Sequence, residues 1–160
     1  MEYSGWVHHM LNDNALKIIE KNISELAFED AYQAAMQVGI EKCWETLSSS
    51  ICYEKPMELY VFLMYCVSRQ ETAFLHFCIF QLLTCLKPVL DDPYVLGYWH
   101  IKRALELEPN NINYMRWILK IFEPYPEKFS SNDELLNLAN EILKACPNDE
   151  KALEIKQNYW

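Results

Sequence analysis

The side chains best suited to chemistry in this chain are four histidines, six cysteines and several adjacent carboxylates. His8 and His9 are neighbours, and on a helix adjacent side chains point about 100° apart, which works against shared ligation of a metal; a polar N-terminal pair is the expectation. His76 and Cys78 lie in an apolar stretch, where a histidine is expected to be a core residue with its nitrogens satisfied by neighbours. His100 follows Tyr98-Trp99, and spacing ties no serine or cysteine nucleophile to it. No His-Glu-x-x-His or Gly-x-Ser-x-Gly is present. The pairs Glu29-Asp30 and Asp91-Asp92 fall where helices should begin, and the helix dipole accounts for negative charge there. Cys43, Cys52, Cys66, Cys78, Cys85 and Cys146 form no Cys-x-x-Cys, so zinc and redox spacings are missing, and most sit in apolar runs as small hydrophobes. Gly5, Gly39 and Gly97 are too scattered to cradle a phosphate. These residues assemble no catalytic constellation, and the expectation is a protein that is not an enzyme and takes no cofactor or metal.

The elements that carry these residues follow from composition. The chain has 160 residues, 51% hydrophobic and 23% charged, a length that suits one domain, 1–160. Three glycines are too few for the many tight turns of a β-sandwich or barrel. Net charge is −9: 11 acids against 5 bases over residues 1–80 give −6, and 12 against 9 over 81–160 give −3. A nucleic-acid binder needs a basic footprint, which is lacking. An anionic membrane surface would repel the chain, whereas a basic protein partner would be steered towards it. Residues 1–10 (MEYSGWVHHM) have no basic start, apolar core or cleavage site, so the expectation is a cytoplasmic protein with reduced thiols. The most apolar stretch, Ala73–Leu86, has 14 residues against the ~20 of a membrane span, and reads as a buried core helix. The polar break Ser68-Arg69-Gln70-Glu71-Thr72 makes it the second arm of a hairpin with Leu59–Val67.

Apolar residues recur at helical spacing along the chain, so the fold class is all-α. The spacing predicts about eight helices: 4–21, on a stripe of Leu11, Ala15, Ile18 and Ile19; 28–47, with Gly39 marking a kink or break; 56–67, with Pro56 in the first turn; 71–86, ended by Pro88; 93–107, opened by Asp91-Asp92-Pro93; 112–122, capped by Asn110 or Asn111; 131–145, opened by the capping-box spacing Ser131 to Glu134; and 150–160. Pro124-Tyr125-Pro126 forces a loop. The terminal Tyr159-Trp160 either caps the last hairpin or hangs as a loose end. Short joints give antiparallel hairpins, arranged as a compact helical bundle or an α-solenoid.

Ala104-Leu105-Glu106-Leu107-Glu108-Pro109-Asn110-Asn111 aligns with Ile142-Leu143-Lys144-Ala145-Cys146-Pro147-Asn148-Asp149 at an offset of 38, close to the ~34-residue period of tetratricopeptide units. Residues 94–155 resemble tetratricopeptide repeats. Gly97 and Ala104 match the small positions of a repeat's second helix, and Tyr114, Ile118 and Phe122 fall on the next first helix. Leu119, Leu135 and Ile142 replace residues that are small in the family, and Pro124–Phe129 adds about four residues. The resemblance implies stacked hairpins over 91–160, with residues 1–90 a degenerate version, and no chemistry.

The function expected is therefore protein binding. In size and charge, though in no motif, the chain resembles immunity proteins of bacterial toxin–immunity pairs, which implies a cognate toxin domain, often a basic nuclease, as partner. The acids expected to meet it are Glu20, Glu25, Glu29, Asp30, Glu41 and Glu45. Tyr94, Tyr98 and Trp99 gather with Tyr114 and Trp117 around the best-defined repeat; burial is expected for Trp44, Trp99 and Trp117, and any exposed member offers an interface anchor. The alternatives are an adaptor or chaperone gripping a peptide on a concave repeat surface, and a small helical enzyme or metal-sensing protein using His76, Cys78, Cys85 or His100.

Overall fold

The computed structural model describes residues 3–86, 92–122 and 129–159, with side chains described over 14–84, 92–121 and 129–159. The side chains of His8, His9, Leu11 and Cys85, and residues Pro88, Asp91, Pro124-Tyr125-Pro126 and Trp160, lie outside them. Every regular element among the described residues is helical: α1 (Tyr3–Ser24), α2 (Phe28–Val38), α3 (Ile40–Leu47), α4 (Ile51–Glu54), α5 (Pro56–Arg69), α6 (Ala73–Gln81) continued by a π-helical turn (Leu82–Leu86), α7 (Pro93–Leu107), α8 (Ile112–Phe122), α9 (Asn132–Ala145) and α10 (Glu150–Tyr159). The all-α class holds, with ten α-helices described where about eight were expected.

Two local causes account for the difference. The expected helix 28–47 is cut at Gly39, whose φ of 98° lies in the left-handed region, reached cheaply by glycine and not by residues with a Cβ. Between the serine run and Pro56 the chain makes one further helical turn, α4. Helix starts follow the capping chemistry in part. Thr72 accepts from the Leu75 N–H at 3.2 Å, and Asn111 Oδ1 accepts from the Asn113 and Tyr114 N–H groups at 3.1 and 3.3 Å. Ser131 accepts from the Glu134 N–H at 3.2 Å. The return bond of that box is replaced, because the Glu134 carboxylate reaches across to Lys102 and Tyr98. Asp92 makes no side-chain cap, and α7 starts on Pro93 alone.

The buried side chains form two clusters that share α6. Leu75, Cys78 and Ile79 of α6, with Leu82 and Leu83 of the π-turn, face a first core with Ile19, Ile23, Leu47, Leu59 and Phe62. Ala73 and Phe80, with Phe77 beside them, face a second core with Ile101, Ile118, Leu119, Ala139, Ile142 and Ile155. A helix buried on all sides has no polar stripe, which is why Ala73–Leu86 is the most apolar run. No described helix is long and apolar enough to cross a membrane. In the second half α6 packs on α7, α7 on α8, α8 on α9 and α9 on α10, while α8 also touches α10.

Helix α7 lies close enough to the π-turn that only glycine fits at position 97: a Cβ there would stand 2.4 Å from Thr84 Cγ2. Thr84 cannot swing away easily, since its hydroxyl donates to the Phe80 carbonyl at 2.7 Å and its branched Cβ is stiff. Gly97→Ala is expected to destabilise by about 1–3 kcal/mol through overpacking, despite the better helix propensity of alanine. In a Thr84→Ser background, which keeps the hydroxyl and removes the methyl, the same change is expected to become neutral or favourable. Denaturant titration of the four proteins of this cycle gives the coupling, and an unchanged Gly97→Ala cost in the serine background would refute the clash.

Candidate functional site

Five aromatic side chains grouped by sequence separate in space. Tyr114 is buried with its ring 5.1 Å from Phe77. Trp117 is half-buried against Phe77 and Phe80, ring centroids at 6.3 and 5.7 Å, with Lys120 Nζ 5.0 Å from its own ring centre. These two join α8 to α6. Tyr94 and Tyr98 are half-buried on the second core; the Tyr98 hydroxyl bonds Ser130 Oγ at 2.8 Å and donates to Glu134 Oε2 at 3.3 Å, and its ring lies 5.3 Å from Phe129. Burial pushes the Tyr98 hydroxyl above its ordinary pKa. Trp99 is the exception, and the expectation of burial fails there. It is 67% exposed in the middle of α7, because α7 turns Gly97, His100, Ile101 and Ala104 inward and position 99 lies on the opposite side of the helix.

The outer face of α7 is apolar beyond Trp99: Val95, Leu96 and Leu107 are also exposed. A concavity of about 340 Å³ adjoins the indole, lined by Tyr98, Trp99, Lys102, Arg103 and Glu106. Its charged walls are fixed from below. Lys102 pairs with Glu134. Arg103 holds Glu71 by two bonds, Nε to Oε1 at 2.8 Å and Nη2 to Oε2 at 2.9 Å, and reaches Glu106 at 3.0 Å. Those bonds, with one from His76, hold the Glu71 carboxyl down to about 2. A larger, shallower groove beside Cys146 has its cations engaged, Arg116 with Asp149 at 2.7 Å, Lys151 with Glu154 at 3.1 Å and Lys120 over the Trp117 ring.

Of the N-terminal acids, Glu20 is half-buried and accepts from the Ser50 hydroxyl. Glu25 pairs with Lys21 at 3.9 Å. Glu29 accepts from Gln33 and Arg69, both at 2.8 Å, and from Tyr65, contacts that lower its pKa, the Tyr65 bond foremost. Its charge ties α2 to α5. Asp30, Glu41 and Glu45 are exposed to solvent.

His76 and His100, unconnected by sequence, meet in the interior at 4% and 6% exposure. Their Nδ1 atoms are 2.8 Å apart, and His76 Nε2 lies 3.0 Å from Glu71 Oε1. Burial, then the charge of His76, lowers the His100 pKa to about 4. This contact joins α6 to α7 across 24 residues, and no spacing rule signals it. Among the described residues no three histidine, cysteine or acidic side chains are placed to hold a metal. Cys43 and Cys66 are pushed up to about 11 and about 12 by burial, and burial also raises Cys78 well above the ordinary thiol range. These thiols stay protonated at neutral pH and are poor nucleophiles.

No family model matches the chain, and neither the curated proteins nor the solved structures compared with it gave a match.

Proposed function

We propose that this chain is a non-enzymatic, cytoplasmic protein-binding protein that recognises a basic protein domain, most concretely an immunity protein that neutralises a bacterial toxin domain. The observation that carries this reading is Trp99, 67% exposed in a well-formed helix and flanked by exposed Val95 and Leu96. A protein with two sizeable cores has buried its other described tryptophans far more completely, and an outward indole beside a concavity with fixed polar walls has the composition of an interface anchor. The charge of −9 supports a basic partner, since complementary charge speeds encounter.

Co-expression with a basic nuclease toxin domain, taken from the neighbouring reading frame where that frame encodes one, tests the reading: growth is restored if it holds and stays blocked if it fails. Asp30, Glu41 and Glu45 are exposed, while Glu29 is committed to Arg69. The triple change Asp30→Ala/Glu41→Ala/Glu45→Ala is therefore expected to slow association by about 3–10-fold at low salt and to leave dissociation unchanged. Stopped-flow traces at two salt concentrations measure it, and an unaltered association rate would remove the acids from the account.

The packing order α6 to α10, with α8 touching α10, also favours stacked hairpins of tetratricopeptide type and hence a peptide-gripping adaptor. That second reading places the ligand on a concave repeat surface, and in it Trp99→Ala leaves binding intact.

A further inference from the structure

Two imidazoles whose Nδ1 atoms stand 2.8 Å apart must have one hydrogen between them: one nitrogen donates and the other accepts. His76 Nε2 faces the carboxylate of Glu71 at 3.0 Å and so carries a hydrogen. In the neutral pair His76 Nδ1 is then the bare acceptor, and His100 Nδ1–H donates to it. A first proton enters at His100 Nε2 while the shared hydrogen passes to His76 Nδ1, so the single positive charge rests on His76 beside Glu71 and His100 stays neutral. A second must go to His100 Nδ1, which sets two N–H groups head to head and two positive charges on rings 5.1 Å apart, at 4% and 6% exposure.

We propose that His76 and His100 form a proton-counting latch between α6 and α7, docked while the pair carries at most one positive charge and released when both rings are protonated. The groups around it are few. Glu71, on the α5–α6 connection, faces His76, and Arg103 and Glu106 of α7 complete that ion cluster. Lys102 of α7 turns away to Glu134 of α9, and Tyr114 of α8 lies against Phe77. Glu71 stabilises one imidazolium, but its charge is shared with Arg103, so it does not neutralise a second.

The unfolded chain takes a proton on each ring below about pH 6.5, and the docked pair refuses one of them. Stability is therefore complete above that pH and falls as the pH drops towards 4. Arg103 and Trp99 border the same concavity on α7, so release also displaces the proposed recognition face. That last consequence rests on the recognition reading; the latch itself does not.

His100→Asn tests the latch, because its side-chain amide still donates to His76 Nδ1 but takes no proton. Between pH 7.5 and 5.5 the wild-type Tm is expected to fall by about 3–5 °C more than that of the variant. Parallel falls would overturn the latch. If the variant does not fold, the ¹³Cε1 shift of His100 in the wild-type chain decides: the ring is expected to stay neutral through pH 5 and, on protonation, to move amide signals along α6 and α7. Titration of His100 near pH 6.5 without those shifts would overturn the proposal. Both measurements use the isolated protein, so their outcome is independent of whether a toxin is the partner.

Discussion

Replacing Trp99 with alanine is expected to weaken binding to the proposed basic partner domain by at least about 30-fold, equivalent to about 2 kcal/mol, the threshold of an interface hot spot. The same substitution is expected to change stability by no more than about 0.5 kcal/mol, as for an exposed position with little packing to lose. The separation of the two effects follows from where the indole lies. At 67% exposure it contributes little to the folded monomer, while a partner covering it would remove a large apolar surface from water. The concavity beside it is already ordered by the Arg103–Glu71 and Lys102–Glu134 pairs, so little side-chain entropy remains to be lost on docking. Calorimetric titration together with thermal melts checks both halves. Loss of stability equal to the loss of binding would show instead that Trp99 is part of the scaffold.

Phe80→Ala is expected to cost about 3–5 kcal/mol, the range for deleting a buried phenyl ring, and to lower Tm by about 10 °C or more. Phe80 is fully buried and packs on Trp117 and Phe77, while Ile79, its neighbour in sequence, packs into the other core. Because α6 is common to both cores, the two halves are expected to melt together in the variant as in the wild type. Two resolved transitions, or a loss below about 1 kcal/mol, would contradict the shared-helix architecture.

Most of the architecture is written in short-range signals. Pro56 and Pro93 start α5 and α7 where expected, Asn111 and Ser131 cap α8 and α9, and the polar break at 68–72 separates α5 from α6. Boundaries slip where a stop signal is missing. Helix α1 runs three residues past its expected end, and the left-handed position behind it is filled by Leu26, with φ of 62°, where a glycine would have announced the turn. The last turn of α6 unwinds into a π-turn that no local pattern encodes. The site was less legible for a geometric reason. Tyr98 and Trp99 are neighbours in sequence, yet one is tied to Ser130 and the other faces solvent, and which side of α7 is inward depends on α6. The histidine contact is harder still, since it needs the packing of two helices to bring residues 76 and 100 together.

The most direct test of surface recognition is the affinity of the wild-type chain and of Trp99→Ala for the proposed basic toxin domain, measured at low and high salt. Nanomolar binding by the wild type is expected, with association that slows as salt rises and a loss of about 30-fold or more in the variant. Equal affinity of the two proteins, with no dependence on salt, would contradict surface recognition.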